Sequence, residues 1–235
     1  MIGRLAVSLK GTRQRGAGCY DARMEAVDLA LILALDGSAS VTFDEFNLMA
    51  NGCAAALRDP DVAAALTGGP IGASLGAVLL WSGHAAQEVM VEWTRLDGMY
   101  SVAAFAQAIE DMPRVVHAGS TAIGEALLAC TRLLVAAPAA RQRQVIDMVG
   151  DGRSNEGIPP APVRDRLAEA GVTINGLCVL HEEPDLVASY TADVIGGPGA
   201  FALQCQDYAD FTEAMRQKLQ REIAAVRVNP RRSGA

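Results

Sequence analysis

Three separate segments of the chain carry hydroxyl and carboxylate side chains in an arrangement that could bind a hard cation. Asp36, Ser38 and Ser40 form a D-x-S-x-S pattern directly after an apolar run. Thr121 precedes an apolar helical pattern, and Asp151 stands between two glycines after a second apolar run. Together the segments offer hydroxyl and carboxylate oxygens, which are the ligands that Mg²⁺ and Ca²⁺ prefer.

Each of these segments also has an ordinary structural interpretation. Asp and Ser are common in strand-to-helix turns because their side chains bond to nearby backbone groups. Taken singly, Thr121 could cap a helix and Asp151 could occupy a turn. A metal site is therefore predicted only if the fold brings the three segments together.

The apolar runs indicate how the fold would do this. Residues 27–35 are almost continuously apolar, which is typical of a parallel strand buried on both faces. Residues 144–149 and 172–180 are predicted to be further strands. In an open α/β sheet, ligands bind beyond the carboxyl ends of the strands. We therefore expect a crevice formed by the loops that follow residues 35, 149 and 180.

The remaining elements predict the fold class. Residues 76–81, 88–93 and 201–205 complete a predicted set of six strands. Residues 88–93 alternate charged and apolar side chains after a short link, which favours an antiparallel edge strand. Helices are predicted from a capping box at Thr42 to about Arg58, over 101–112, along Ile123, Leu127, Cys130 and Leu134, over 160–170, in a short segment before 201, and along Phe211, Met215, Leu219 and Ile223. This alternation predicts an α/β fold with a doubly wound, mostly parallel six-stranded sheet and helices on both of its faces.

Composition limits the classes of function. The chain has 235 residues, of which 51% are hydrophobic and 5% aromatic, so one sizeable core is expected. The net charge is −7, so the chain lacks the excess of basic residues that is typical of nucleic-acid-binding proteins. No apolar run is long enough to predict a transmembrane helix. We expect one domain over residues 27–225, with flexible segments at 1–26 and 226–235.

Two cysteines fall on predicted strands. Cys178 and Cys205 could form a disulfide if their strands are neighbours, whereas a pair of buried thiols is the alternative.

The order and spacing of the five oxygen-bearing positions resemble a known motif. D-x-S-x-S, then Thr, then Asp is the metal-ion-dependent adhesion site (MIDAS) of von Willebrand factor type A (vWA) domains, and it is matched here by Asp36, Ser38, Ser40, Thr121 and Asp151. The resemblance implies a Rossmann-like fold that holds Mg²⁺, or else Mn²⁺ or Ca²⁺. It further implies that the hydroxyls bind the ion directly, while the two carboxylates act through water or hold the hydroxyls. One position on the ion would then be open for a Glu or Asp of a protein partner.

Other stretches resemble a bacterial single-domain vWA family of unknown function. They are residues 54–60, 182–185 and 194–201. Members of that family commonly look exported, so the resemblance implies export. Residues 1–26 show no apolar stretch typical of a signal peptide, which leaves the compartment open.

The sequence therefore predicts a divalent-cation-dependent adhesion or assembly module without catalysis of its own, in an oligomeric state left open. One alternative is a hydrolase that uses a metal-activated water or Ser74, which lies in a G-x-S-x-G match at residues 72–76. That motif needs a strand before it and a helix after it, and here a strand is predicted to follow. A second alternative is a structural subunit whose metal site no longer functions.

Overall fold

The computed structural model describes residues 24–224 and contains one six-stranded sheet in the order β3-β2-β1-β4-β5-β6. The strands are β1 (Met24–Asp36), β2 (Ser74–Trp81), β3 (Gln87–Leu96), β4 (Ala139–Gly150), β5 (Thr173–Val179) and β6 (Ala202–Cys205). The helices are α1 (Phe43–Arg58), α2 (Pro60–Thr67), α3 (Met99–Glu110), α4 (Ile123–Val135), α5 (Pro160–Glu169), α6 (Leu186–Asp193) and α7 (Phe211–Ala224). The tail predicted at 226–235 and nearly all of the segment predicted at 1–26 lie outside the described residues.

The pairing of the strands confirms the predicted fold class. Strand β1 lies at the centre and pairs in parallel with β2 and β4, while β5 and β6 extend the sheet in the same direction. Strand β3 pairs antiparallel with β2 and forms the edge, as its alternating pattern predicted. Residues 27–36 are all buried, which explains why β1 is apolar almost throughout.

Helices cover both faces of the sheet, and each face has its own apolar cluster. One cluster joins β1 side chains such as Leu31 and Leu33 to α1, α2, α3 and α7. The other joins Ala30 and Ile32 to α4, α5 and α6. Successive side chains of a strand point to opposite faces, so β1 contributes to both clusters. The sheet is thus packed against helices on both faces, and the loops at its carboxyl edge extend from this buried core.

Helix α2 was not predicted, because the sequence pattern was interpreted as ending at Pro60. The carboxylate of Asp59 accepts hydrogen bonds from the backbone N–H groups of Asp61 and Val62, and Pro60 occupies the first helical turn. An Asp cap followed by proline favours the start of a helix as much as the end of one.

The disulfide considered for Cys178 and Cys205 is absent, although β5 and β6 are neighbours. Cys178 is paired with Gln204, and Cys205 with Val179, so the two cysteines are one register step apart. Their side chains consequently point to opposite faces of the sheet and belong to different apolar clusters. Both thiols are free.

Candidate metal centre

The two predicted carboxylates meet at the carboxyl edge of the central strands. Asp36 is the last residue of β1, and Asp151 directly follows the neighbouring strand β4. Both residues are completely buried. The negative charge of Asp151 is close enough to raise the pKa of Asp36.

Hydrogen bonds connect these carboxylates through the two serines of the loop after β1. The backbone N–H of Ser38 donates to Oδ1 of Asp36 at 2.7 Å. The hydroxyls of Ser38 and Ser40 are 3.2 Å apart, and Ser40 Oγ donates to Oδ1 of Asp151 at 2.6 Å. Four of the five predicted site residues therefore form one continuous chain of contacts.

Thr121, the fifth predicted residue, is tied to both of these loops through the backbone of its own segment. The N–H of Thr121 donates to Asn155 Oδ1 at 2.9 Å, and the N–H of Asn155 donates back to the Thr121 carbonyl at 3.0 Å. On the other side, the N–H of Ala39 donates to the Gly119 carbonyl at 2.8 Å. A Cβ added to Gly152 would lie 3.7 Å from Thr121 Oγ1, so that hydroxyl faces the segment that carries Asp151.

The electrostatics of the site suit a bound cation. Burial, and then the charge of Asp151, raise the pKa of Asp36 to about 7 against the opposing hydrogen bond from Ser38. Burial also raises the pKa of Asp151, which the hydrogen bond from Ser40 partly offsets. Oδ2 of each carboxylate is buried and has no hydrogen-bond partner within residues 24–224. Two buried carboxylates with unused oxygens disfavour their own ionisation, and a cation between them would reverse that penalty.

Arg114 supports the hydroxyl loop, and the sequence analysis did not identify it. Its Nη2 donates to the carbonyl oxygens of Gly37 at 3.0 Å and of Ser38 at 2.9 Å. Its positive charge also lowers the pKa of Asp36, against the larger effect of burial. Arg114 lies in the same connection between α3 and α4 as Thr121, so this connection contacts the hydroxyl loop at more than one point. Nothing in the local sequence pattern distinguishes this arginine from a solvated one.

Tyr190 lies behind the carboxylates and was also missed. The residue is completely buried on α6, and its hydroxyl has no hydrogen-bond partner among the described residues. A Cβ added to Gly150 would be 2.6 Å from Tyr190 Oη and 2.9 Å from Asp36 Oδ2. The tyrosine hydroxyl and the carboxylate therefore approach one another across Gly150, which leaves room for both.

Ser74, the residue of the hydrolase alternative, lies at the opposite edge of the sheet. It is the first residue of β2, it is buried, and its Oγ donates to the Leu66 carbonyl at 2.6 Å. Strand β2 begins at Ser74 itself, within the G-x-S-x-G match, so the strand-turn-helix context of a nucleophile is not formed.

Within residues 24–224, no three His, Cys, Asp or Glu side chains come together in a way that could hold a metal, so the candidate centre depends on its hydroxyls. Every helix in this range is too short or too polar to cross a bilayer.

Solved structures share this fold at low sequence identity. A von Willebrand factor type A protein from Catenulispora acidiphila is 20% identical, with a TM-score of 0.57 over 84% of this chain and 43% of the other. Proximal thread matrix protein 1 from the mussel byssus, with a zinc-occupied MIDAS motif, is 18% identical, with a TM-score of 0.59 over 84% of this chain and 48% of the other. The vWF domain of the type V pili tip protein Mfa5 from Porphyromonas gingivalis is 8% identical, with a TM-score of 0.56 over 88% and 99%.

These likenesses establish a vWA fold. The chain spans less than half the length of the first two of these structures. No curated protein matches the sequence significantly. A family model described as a protein of unknown function, DUF1194, matches residues 26–227, which is nearly the whole chain. The chain, which has a vWA fold, therefore belongs to the DUF1194 family.

Proposed function

We propose that this chain is a divalent-cation-dependent protein-binding module of the adhesion or assembly kind. Asp36, Ser38, Ser40, Thr121 and Asp151 would hold Mg²⁺, with Mn²⁺ or Ca²⁺ as alternatives, and a protein partner would contribute a Glu or Asp carboxylate. The observation that carries the proposal is the 2.6 Å hydrogen bond from Ser40 to Asp151, which joins the loops after β1 and β4. Beside it lie two carboxylate oxygens that have no hydrogen-bond partner in the described part of the chain.

The chain's own residues divide into two roles in this proposal. The hydroxyls of Ser38, Ser40 and Thr121 are neutral oxygen ligands, and Asp36 and Asp151 orient the serine loop through the hydrogen bonds described above. When bound, the ion supplies an electron-poor position that an incoming carboxylate can fill. Burial of the site strengthens that attraction because little water competes for it.

Two of the related structures each support one part of this role. The mussel byssus protein has a MIDAS motif occupied by zinc, and Mfa5 is a pilus tip protein. For this chain, the support lies in the shared fold and in its own Asp36, Ser40 and Asp151 at one edge of the sheet, and Zn²⁺ belongs among the ions to be tried.

Isothermal titration calorimetry tests the metal site. We expect the wild-type chain to bind Mg²⁺ or Mn²⁺ at one site, and Asp151→Asn to weaken binding by at least about 10-fold while leaving the fold intact. Glu169→Gln is the matched control, because Glu169 is an exposed carboxylate of α5 outside the candidate centre. Equal affinities in wild type and Asp151→Asn would refute the site, and no binding of any ion would favour the structural-subunit alternative.

A pulldown tests the binding function separately. The wild-type chain is immobilised in Mg²⁺ and in chelator, and proteins retained only in Mg²⁺ are identified. We expect Asp151→Asn to lose these proteins and Glu169→Gln to keep them. Partners retained equally well in chelator would contradict a role for the metal.

A further inference from the structure

A groove of about 510 Å³ lies beside the candidate metal centre. One wall is formed by residues 153–161, which follow β4, and the other by Ser189, Asp193 and Val194 at α6. Only Gly152 separates Arg153, the first residue of the groove, from Asp151. A Cβ on Gly152 would lie 3.7 Å from both Thr121 Oγ1 and Glu183 Oε1, so the groove begins where the candidate centre ends.

The wall formed by residues 153–161 is held in place by contacts to three other segments. Asn155 exchanges two hydrogen bonds with Thr121. Glu156 Oε2 accepts a hydrogen bond from the N–H of His84 at 3.0 Å. The N–H of Ile158 donates to Glu125 Oε1 on α4 at 2.8 Å. A wall fixed at these points loses little freedom when a ligand binds, which favours selective recognition.

The lining of the groove combines apolar surface with the acidic side chains of Glu156 and Asp193. Ile158 is 38% exposed and is followed by Pro159, Pro160 and Ala161. The guanidinium of Arg153 is neutralised by Glu183, because its Nε lies 2.5 Å from Glu183 Oε2. Asp193, at the end of α6, is exposed, and within residues 24–224 its carboxylate has neither an ion pair nor a hydrogen bond.

We propose that this groove binds the part of the partner next to its metal-binding acidic residue, and that it selects an extended segment carrying an apolar side chain and a Lys or Arg. The inference rests on the proposed function and adds to it the chemical character of the partner. The apolar side chain would pack on Ile158 and the exposed Pro159, and the basic side chain would lie against Asp193. A second acidic residue at that position would be repelled by Asp193 and by Glu156.

A displayed library of random peptides, selected on the wild-type chain in Mg²⁺ and in chelator, tests this inference. Sequences enriched only in Mg²⁺ are expected to share an acidic residue with a Lys or Arg at a fixed offset. Asp193→Lys should abolish the preference for the basic residue and favour an acidic one instead. For a peptide selected on wild type, we expect Asp193→Lys to raise the Kd by about 5-fold, since an exposed charge pair contributes little. Glu169→Lys, which changes the net charge identically on neighbouring α5, should leave both results unchanged.

The outcomes separate this inference from the proposed function. If an acidic residue is enriched in Mg²⁺ but the flanking preference is absent, or is the same in Asp193→Lys, the groove has no such role while the metal-dependent function stands. If no Mg²⁺-dependent sequence is enriched on wild type, the proposed function fails and the inference falls with it. An equal change in Glu169→Lys would show a general charge effect and would likewise overturn the role assigned to the groove.

Discussion

Gly150 shows how closely single residues are fitted around the candidate metal centre. It ends β4, and the position that a Cβ would occupy lies 2.6 Å from the hydroxyl of Tyr190 and 2.9 Å from the carboxylate of Asp36. Both groups are buried, so neither can move aside into solvent. The backbone at this point thus sets the space in which the carboxylate is held.

We therefore predict that Gly150→Ala destabilises the protein. The added methyl would lie 2.6 Å from Tyr190 Oη and 2.9 Å from Asp36 Oδ2, and overpacking of this kind costs about 1–3 kcal/mol. Urea denaturation of both proteins measures the difference in the free energy of unfolding. The control is the same substitution in a Tyr190→Phe background, where the hydroxyl that the added methyl would meet is absent and a smaller loss is expected. Equal losses in the two backgrounds would contradict this account of Gly150.

At this scale the sequence identified residues that belong to a motif and missed those that do not. Asp36 and Asp151 were predicted because each follows an apolar run. Arg114 and Tyr190 were missed because their relation to the site depends on how distant segments pack. An arginine in a polar loop and a tyrosine on a short helix have many ordinary roles. Their contacts here are with residues far away in the sequence, so no local pattern reveals them.

At the scale of elements, a buried charge cluster joins α7 to the sheet. Lys218 and Glu222 lie one turn apart on α7, and Asp147 faces them from β4; all three are essentially inaccessible to solvent. The ammonium of Lys218 forms an ion pair with Asp147 and lies 3.3 Å from Glu222 Oε2. Burial, and then the charge of Asp147, raise the pKa of Glu222 to about 8, against the opposing charge of Lys218. The ammonium of Lys218 is thus shared by two carboxylates, and the raised pKa favours the neutral form of Glu222.

This cluster predicts a pH dependence of stability. Because the pKa of Glu222 is higher in the folded chain than its ordinary value of 4.5, its stabilising effect is complete below about pH 4.5 and is lost as the pH rises through about 8. Between these values its contribution falls by up to about 1.4 kcal/mol per pH unit, the limit for one proton. Glu222→Gln cannot ionise, so its stability relative to wild type should rise over this range.

Urea denaturation of wild type and Glu222→Gln across this pH range measures the effect. Taking the difference between the two proteins removes the contributions of other groups, including Asp36 and Asp151, whose pKa values are also raised. A difference that stays constant with pH would show that Glu222 is ionised in the folded chain throughout. Glu169→Gln, at an exposed position of α5, should run parallel to wild type.

The sequence predicted most elements but not this cluster. Hydrophobic periodicity locates helices and strands well because burial and spacing are coupled within each element. The same reasoning places Lys and Glu on the surface, since unpaired charges are almost never buried. The compensation of Lys218 by Asp147 joins two elements far apart in the chain, and no local pattern records it. Strand β4 begins at Ala139, whereas the sequence predicted a start at residue 144. The prediction started too late because it followed the apolar run, which does not include Arg141 and Arg143.

At the scale of the whole molecule, the cysteines indicate a fold that does not depend on oxidation. Cys53, Cys130, Cys178 and Cys205 are buried and free. Burial raises the pKa of the Cys178 and Cys205 thiols to about 12, so they remain protonated at neutral pH. Protonated thiols are poor nucleophiles, and burial also denies access to reagents.

We predict that the native Cys19→Ser variant shows almost no reaction with a thiol reagent such as Ellman's reagent. When the variant is denatured, all four of its remaining thiols should react. The substitution removes the one cysteine that lies outside the described residues. A reductant should leave the Tm unchanged, because there is no disulfide among the described cysteines to break. Two rather than four reactive thiols in denaturant without reductant would reveal a disulfide and contradict the opposite-face geometry of β5 and β6.

The register of the central strands places a tryptophan, whose fluorescence can be measured, beside the candidate metal centre. Trp81 ends β2 directly beside Asp36 and is completely buried, whereas Trp93 lies on the edge strand with its Nε1 donating to the Leu133 carbonyl. The two indoles of the chain therefore sample different surroundings, and only one of them adjoins the candidate centre. A paramagnetic ion such as Mn²⁺ bound there is expected to quench Trp81 emission selectively. Occupancy could thus be followed by fluorescence in a Trp93→Phe background, without any attached dye.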